Sequence, residues 1–180
     1  MSGLKIQYLS KKAVKSILTF LENRKYIDPI FLEIIREHEE VKLVVGSRFE
    51  IIVFDSIPAL FRKLDRDIYM PTLYVLNMLY SSKKIVIVPS VTTDEGAIAP
   101  LKRGADLMIP GIKKINKSFS KGDIVAIMEP GERYIVAVGI ALVNSIDIAP
   151  NMKGRGIENL SHIDDEIWST SLHIVKALSR

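Results

Sequence analysis

Residues Thr92 to Gly111 read Thr-Thr-Asp-Glu-Gly-Ala-Ile-Ala-Pro-Leu-Lys-Arg-Gly-Ala-Asp-Leu-Met-Ile-Pro-Gly, and few local structures accommodate that order. The pattern is one short helix, a glycine turn and one short strand. Thr92 or Thr93 can accept a hydrogen bond from the first free N–H groups of a helix, and Asp94 and Glu95 suit the positive end of its dipole. On a helical wheel Ala97, Ile98 and Leu101 share one face, while Glu95, Ala99, Lys102 and Arg103 point away from it. Gly104 can end the helix in a left-handed conformation. Ala105 to Ile109 then extends, and Pro110-Gly111 turns the chain. Pro100 is out of place: inside the helix it removes one backbone donor and is expected to kink it. Two cations thus sit at a helix end beside a glycine, where another backbone can approach closely. Nothing in the stretch supplies a catalytic group.

The rest of the composition narrows the function classes. With 180 residues and 48% of them apolar, the chain can bury one substantial core or two small ones. It has no cysteine, which excludes disulfides, thiolate zinc sites and thiol nucleophiles. Its three histidines, His38, His162 and His173, lie far apart and none has a partner at metal-ligand spacing. No nucleophile elbow, phosphate-binding loop or dinucleotide fingerprint occurs. The acidic run Asp164-Asp165-Glu166 could hold a hard cation, but a solvated loop is the simpler reading. We therefore expect no enzyme, no cofactor and no metal. No apolar run is long enough to span a bilayer, and Met-Ser-Gly-Leu-Lys lacks the features of a signal peptide, so a cytoplasmic protein is expected. A single glutamine, Gln7, with many isoleucines and charged residues hints at a heat-adapted source.

Charge is unevenly placed. Residues 1–88 hold 14 Lys and Arg against 10 Asp and Glu, whereas residues 89–180 hold 11 against 11. Within the neutral half, Lys102, Arg103, Lys113, Lys114, Lys117 and Lys121 cluster with only Asp106 among them. A neutral domain with such a polarised face can still bind phosphate locally.

Periodicity orders the rest. Lys5 to Leu9 suggests a strand. Ser10 to Lys25 reads as a helix capped by Ser10, with Val14, Ile17, Leu18 and Leu21 on one face. Lys11, Lys12 and Lys15 lie at its start, the unfavourable end for cations. Asp28-Pro29 opens a second helix. Val41 to Val45 and Phe49 to Phe54 form a hairpin about Gly46-Ser47-Arg48. Ile57 to Leu64 is a third strand, with Pro58 arguing for an edge or first-residue position. A helix from Leu73 to Tyr80 is expected to end at Ser81-Ser82, followed by a buried strand at Ile85 to Val88. Further strands are expected at Ile124 to Met128, Tyr134 to Leu142 and Ile157 to Ile163, the last reached through a flexible, cationic Gly154-Arg155-Gly156, with one helical turn at Ser145 to Ala149. Trp168 to Arg180 forms a final helix with Leu172, Val175 and Leu178 on one face. Trp168 suits the core, Tyr134 a strand edge, and Tyr69 a seam between domains.

Asp94, Gly96, Ala97, Leu101, Gly104, Ala105, Pro110 and Gly111 resemble the signature of the PUA domain, the small β-barrel module of RNA-binding and RNA-modifying proteins. Three further segments resemble the malignant T-cell amplified sequence (MCT) family and its archaeal relatives. These are Phe61-Arg62 with Tyr69 and Pro71-Thr72-Leu73; Gly122 to Met128 with Val138-Gly139; and Gly156-Ile157-Glu158-Asn159-Leu160 with Asp164 or Asp165 and Trp168. The match runs from about residue 41 to Trp168. It implies an α+β chain: an N-terminal α/β domain with a small antiparallel sheet (1–87), a PUA-type pseudo-barrel (88–168) and a helical tail (169–180). It also implies a non-catalytic translation factor that binds the small ribosomal subunit near the tRNA acceptor end during initiation, reinitiation or recycling. Eukaryotic members work with an initiation-factor-like partner protein. Because this chain has no cysteine, partner contacts through a zinc-bearing segment do not carry over, and Ser169 to Arg180 extends past the usual end.

From these readings the RNA contact, to tRNA or ribosomal RNA, is expected at Lys102, Arg103, Gly104 and Ala105, helped by Lys113, Lys114, Arg133, Lys153 and Arg155. Lys11, Lys12 and Lys15 are candidates for the ribosome. A tRNA-docking accessory module of a modifying enzyme such as a tRNA-guanine transglycosylase is the alternative, and a protein-interaction scaffold without nucleic acid the blandest reading.

Overall fold

A computed structural model describes residues 5–178. The first half builds strand β1 (Lys5–Tyr8), helices α1 (Lys11–Glu22) and α2 (Pro29–Arg36), strands β2 (Val41–Val45), β3 (Phe49–Phe54), β4 (Ile57–Lys63) and β5 (Met70–Pro71), and helix α3 (Leu73–Lys83). The strands form a five-stranded antiparallel sheet in sequence order. Local chemistry sets the helix starts: Ser10 Oγ accepts from the Ala13 N–H, Asp28 Oδ1 from the Ile30 N–H, and Thr72 Oγ1 from the Val75 N–H. Ile17 and Leu21 of α1 and Phe31, Leu32 and Ile35 of α2 are buried against this sheet's core.

The second half comprises β6 (Ser90–Thr93), α4 (Glu95–Leu101), β7 (Leu107–Met108), β8 (Ile112–Ile115), β9 (Ile124–Met128), β10 (Ile135–Ala141), β11 (Arg155–His162) and α5 (Glu166–Leu178). Its six strands lie in the order β7-β11-β10-β9-β6-β8, and the sheet curls into a half-barrel. All neighbours are antiparallel except β6 and β9. At the bulge in β10, a Cβ on Gly139 would lie 1.9 Å from the Glu158 carbonyl oxygen, so only glycine lets β10 and β11 pack there. The fold class is α+β, as expected.

The two sheets share a core. One hydrophobic cluster joins Phe54, Leu60, Phe61 and Leu76 of the first half to Met128, Val138, Leu160 and Ile174 of the second. A second cluster fills the half-barrel around Val91, Leu101, Leu107, Val125 and Val136. Polar bonds reinforce the contact: the Asn77 amide donates to the Ile135 carbonyl at 3.0 Å and accepts from its N–H at 2.8 Å. The Tyr80 hydroxyl donates to the Glu132 carbonyl at 2.6 Å.

Several expectations are corrected. The helix N-cap in the opening stretch is Asp94, whose Oδ1 accepts from the Ala97 N–H at 2.9 Å; Thr92 and Thr93 lie in β6. The extended piece shrinks to Leu107–Met108, and Ile109–Gly111 is a 3₁₀ turn. Helix α3 runs through Ser81 and Ser82, because both hydroxyls donate back to the Met78 carbonyl and stay compatible with helix. Ile85 to Val88 joins no ladder: Ile87 and Val88 are buried, but the Ile87 carbonyl accepts from the Asp28 N–H at 2.8 Å. Pro58 sits in an interior strand, at the bulge opposite Val53 and beyond the reach of the two-residue β5. Arg155 and Gly156 belong to β11. The final helix begins at Glu166 and buries Ile167, Ser171 and Ile174, leaving Leu172 exposed. Tyr69 packs edge-on against Phe20 of α1 at 5.8 Å. Met1 to Leu4, and Ser179 and Arg180 of the expected tail, lie outside the described residues.

Candidate nucleic-acid interface

The turn that follows α4 is held open by hydrogen bonds. The Pro100 carbonyl accepts from the N–H groups of Arg103 and Ala105, both at 3.0 Å, and Leu101 accepts from Gly104 at 2.9 Å. Pro100 thus sits in the last turn of the helix, where the bond it cannot make is the one to the Gly96 carbonyl, and the helix ends one residue later. Gly104 takes φ +84°, the left-handed region expected of it. The turn is then fastened to β11. The side-chain amide of Asn159 donates to the Leu101 and Ala105 carbonyls, each at 3.0 Å, and its backbone N–H donates to Asp106 Oδ1 at 2.9 Å. Two donations to carbonyls fix the orientation of that amide. Leu101 is fully buried, so the turn is anchored from inside by its side chain and from outside by Asn159. Lys102, half-buried, and Arg103, exposed, lie on this frame, and neither forms an ion pair among the described residues.

The other expected contacts differ. Lys114 Nζ donates to Glu132 Oε1 at 2.7 Å. Glu132 also accepts from the Thr92 hydroxyl at 2.6 Å, and these two bonds, Lys114 first, hold its carboxyl below the usual range. Arg133 closes on Glu129, whose side chain is only 3% exposed. The guanidinium donates to both carboxylate oxygens at 3.2 Å, and the N–H groups of Arg133 and Gly131 add bonds of 2.6 and 3.0 Å. The Arg133 side chain is the main reason the Glu129 carboxyl falls to about 2. Arg155 donates to Asp106 Oδ2 at 2.5 Å. Lys113 donates to the Pro110 carbonyl at 3.0 Å and lies 3.3 Å from Asp94. Lys153 is exposed beside a shallow groove bounded by Ile109, Pro110 and Met152. Lys11, Lys12 and Lys15 are exposed together on the first turns of α1.

Sequence reasoning missed the neighbours that the fold brings to Gly104. A cleft of about 540 Å³ opens between the β2–β3 turn, the end of β4, the α4 turn and the start of α5. Arg48, Lys63, Asn159 and His162 line it. The acidic run beside it has structural work: Asp165 accepts from the His162 and Trp168 N–H groups at 3.0 and 2.7 Å, and Glu166 accepts from the Ser47 hydroxyl. Among the described residues no group of three or more His, Cys, Asp or Glu is arranged to hold a metal ion. Asn159 lies within the Gly-Ile-Glu-Asn-Leu motif, but nothing local marks Arg48 or Lys63. Among the described residues no helix is long and apolar enough to cross a membrane.

A curled sheet carrying a glycine turn between a capped short helix and a two-residue strand defines a PUA-domain protein, and the PUA domain family matches residues 89–163. The chain as a whole belongs to the malignant T-cell-amplified sequence family. It is 36% identical to an uncharacterized protein of Methanocaldococcus jannaschii over 90% of this chain and 94% of that one. It is 31% identical to malignant T-cell-amplified sequence 1 of Rattus norvegicus, over 87% of this chain and 84% of that one. Eukaryotic translation initiation factor 2D of Oryctolagus cuniculus is 33% identical over 68% of this chain, which spans 21% of that longer protein. In three dimensions the chain is similar to a hypothetical protein from Pyrococcus horikoshii, with a TM-score of 0.80, 27% identity and coverage of 93% of this chain and 99% of that one.

Proposed function

We propose that this protein is a non-catalytic, RNA-binding translation factor that docks on the small ribosomal subunit near the acceptor end of tRNA. One observation carries the reading: in a PUA fold of this family, the α4 turn displays Lys102 and Arg103, which form no ion pair among the described residues, on a frame pinned by Asn159. A pinned turn holds its cations in place before RNA arrives, so less conformational entropy is lost on binding. Phosphate contacts from such cations position RNA and make affinity fall with salt. Relatedness to a named translation initiation factor supports the translation role, and the positive excess in residues 1–88 supports a second contact with ribosomal RNA. In this reading residues 1–87 and 88–168 act as two domains on one core, Ser169 to Leu178 close the body within α5, and the site of action is the cytoplasm.

The test is co-sedimentation with purified small subunits, with and without initiator tRNA, across a salt series. Binding that survives moderate salt and strengthens with tRNA supports the proposal. Association with free tRNA alone overturns the ribosomal part of it, and no association with either overturns it entirely.

A further inference from the structure

We propose that the cleft between the two halves of the molecule takes one unstacked nucleotide of a single-stranded RNA, with Arg48 and Lys63 on its phosphate and His162 on its ribose or base. This deepens the RNA-binding reading and rests on it, and it brings the first half into the same site as the α4 turn.

The cleft, about 540 Å³, lies within the range that holds small ligands. Its walls come from segments far apart in sequence and are tied together. Ser47 of the β2–β3 turn donates to Glu166 at the start of α5, and Arg66 pairs with Glu158 of β11 through two bonds of 3.1 and 2.5 Å. The opening is therefore built into the folded body, because these bonds join the half that carries Arg48 and Lys63 to the half that carries Gly104.

Its lining is mixed in a way that suits a whole nucleotide better than a bare phosphate. Arg48 and Lys63 form no ion pair among the described residues, so both are free for a phosphate. Lys102 and Arg103 stand next in the chain to Gly104, which lines the same cleft, so a strand leaving the pocket meets two more cations that form no ion pair among the described residues. Three acids also line it. Asp165 is engaged by two backbone N–H groups and Glu166 by Ser47, leaving Asp65 as an acceptor for base amino groups.

His162 supplies the most specific feature. Its Nδ1 lies 2.9 Å from the Ile163 carbonyl, which can only accept, so Nδ1 is the donor there, and in the neutral tautomer that this bond selects Nε2 is the acceptor. A Cβ at Gly104 would lie 3.5 Å from that Nε2, so the glycine leaves the nitrogen's approach clear. An acceptor so placed recognises a hydroxyl, and the 2′-hydroxyl is what separates RNA from DNA. Apolar Leu160 and Ile167 complete the floor, against which an unstacked base can lie.

The experiment measures binding of a fluorescein-labelled 12-nucleotide single-stranded RNA and its DNA counterpart across a salt series. Wild type, Arg48→Ala/Lys63→Ala, Lys102→Ala/Arg103→Ala and His162→Phe are compared, each checked for wild-type circular dichroism and melting. For Arg48→Ala/Lys63→Ala the expected results are an affinity at least tenfold weaker and a log–log salt slope flatter by about 0.7, the value for one single-strand phosphate contact. The expected result for His162→Phe is loss of the preference for RNA over DNA with DNA affinity retained. If Arg48→Ala/Lys63→Ala binds like wild type while Lys102→Ala/Arg103→Ala does not, the cleft assignment is overturned and the RNA-binding reading stands. If wild type binds neither RNA nor small subunits, that reading falls too.

Discussion

Two sets of cations in the second half of this molecule look alike in sequence and are unlike in the fold. Lys102 and Arg103 stand on a turn whose N–H groups donate to carbonyls of α4 and whose Leu101 and Ala105 carbonyls accept from Asn159, and among the described residues neither forms an ion pair. Lys114, Arg133 and Arg155 each sit against a carboxylate: Glu132, Glu129 and Asp106. A guanidinium already shared with a carboxylate has little net field left for a phosphate and must give up its partner to bind one. Counting basic residues therefore overstates the interface. Which cations are free is set by where the acids fold to.

The sharpest way to break that contrast is to remove Arg133. Its partner Glu129 is buried and would keep two backbone N–H donors but lose the one cation paired with it among the described residues. Arg133→Ala should therefore lower the denaturation midpoint more than alanine at Lys102, Arg103, Lys114, Arg155 or Asn159 does. RNA affinity should not change. The effect should also depend on pH in a defined sense. The Glu129 carboxyl titrates at about 2 in the fold against an ordinary value of 4.5. A depressed carboxyl stabilises the fold fully above its unfolded pKa and ceases to do so as pH falls through the folded one. Urea midpoints of wild type and variant should differ by a constant amount above about pH 4.5 and converge toward pH 2. A gap that ignores pH would show that Arg133 acts through packing and not through this pair.

The converse substitution is Lys102→Ala/Arg103→Ala. Here stability should stay within about 0.5 kcal/mol of wild type, since neither side chain has an ion-pair partner to abandon among the described residues. RNA binding should weaken, and its log–log salt slope should flatten by about 1.4 to 2 units, about 0.7 to 1 for each phosphate released. An unchanged slope in filter-binding titrations removes these residues from the interface.

How far the sequence carries this picture depends on the range of the interaction. The hairpin of Val41–Val45 with Phe49–Phe54 and the caps at Ser10 and Asp28 follow from residues within a few positions of one another, and each is legible. So is the left-handed Gly104. The misreadings arise where a partner comes from elsewhere. Ile85 to Val88 has the composition of a strand but no free ladder to join, and the Ile87 carbonyl turns instead to Asp28. The face of α5 is misread because Ser171, a polar residue, is buried with its hydroxyl bonded to the Ile167 carbonyl, and this shifts the buried stripe by one position. Glu129 falls between the expected strands Ile124 to Met128 and Tyr134 to Leu142, and nothing local says that it is buried. The cleft beside Gly104 needs segments more than 100 residues apart, as the Ser47–Glu166 bond illustrates.

Asn159 allows a finer test, because it separates the presence of the free cations from their placement. Asn159→Ala removes both donors to the Leu101 and Ala105 carbonyls and leaves Lys102 and Arg103 in the chain. The Ala105 carbonyl belongs to an exposed residue and can rehydrate, so the expected loss is about 1 kcal/mol of stability. RNA affinity should fall by less than in the double variant with the salt slope retained, since the charges remain but must be ordered on binding. A flattened slope would mean that the turn no longer delivers its cations at all.

The smallest expected effects belong to Arg155→Ala and Lys114→Ala, and their smallness is the point. Both pairs are partly exposed, and such pairs contribute less than about 1 kcal/mol. Their acids keep other donors: Asp106 retains the Asn159 N–H at 2.9 Å, and Glu132 retains the Thr92 hydroxyl at 2.6 Å. Removing either cation exposes one carboxylate charge and withdraws no free positive charge from the surface. The RNA salt slope should therefore stay at its wild-type value in both variants, although each lowers the net charge by as much as Arg103→Ala does. If Arg155→Ala flattened the slope as Arg103→Ala is expected to, then the pair with Asp106 opens on binding, and the division between free and engaged cations would have to be drawn in the complex.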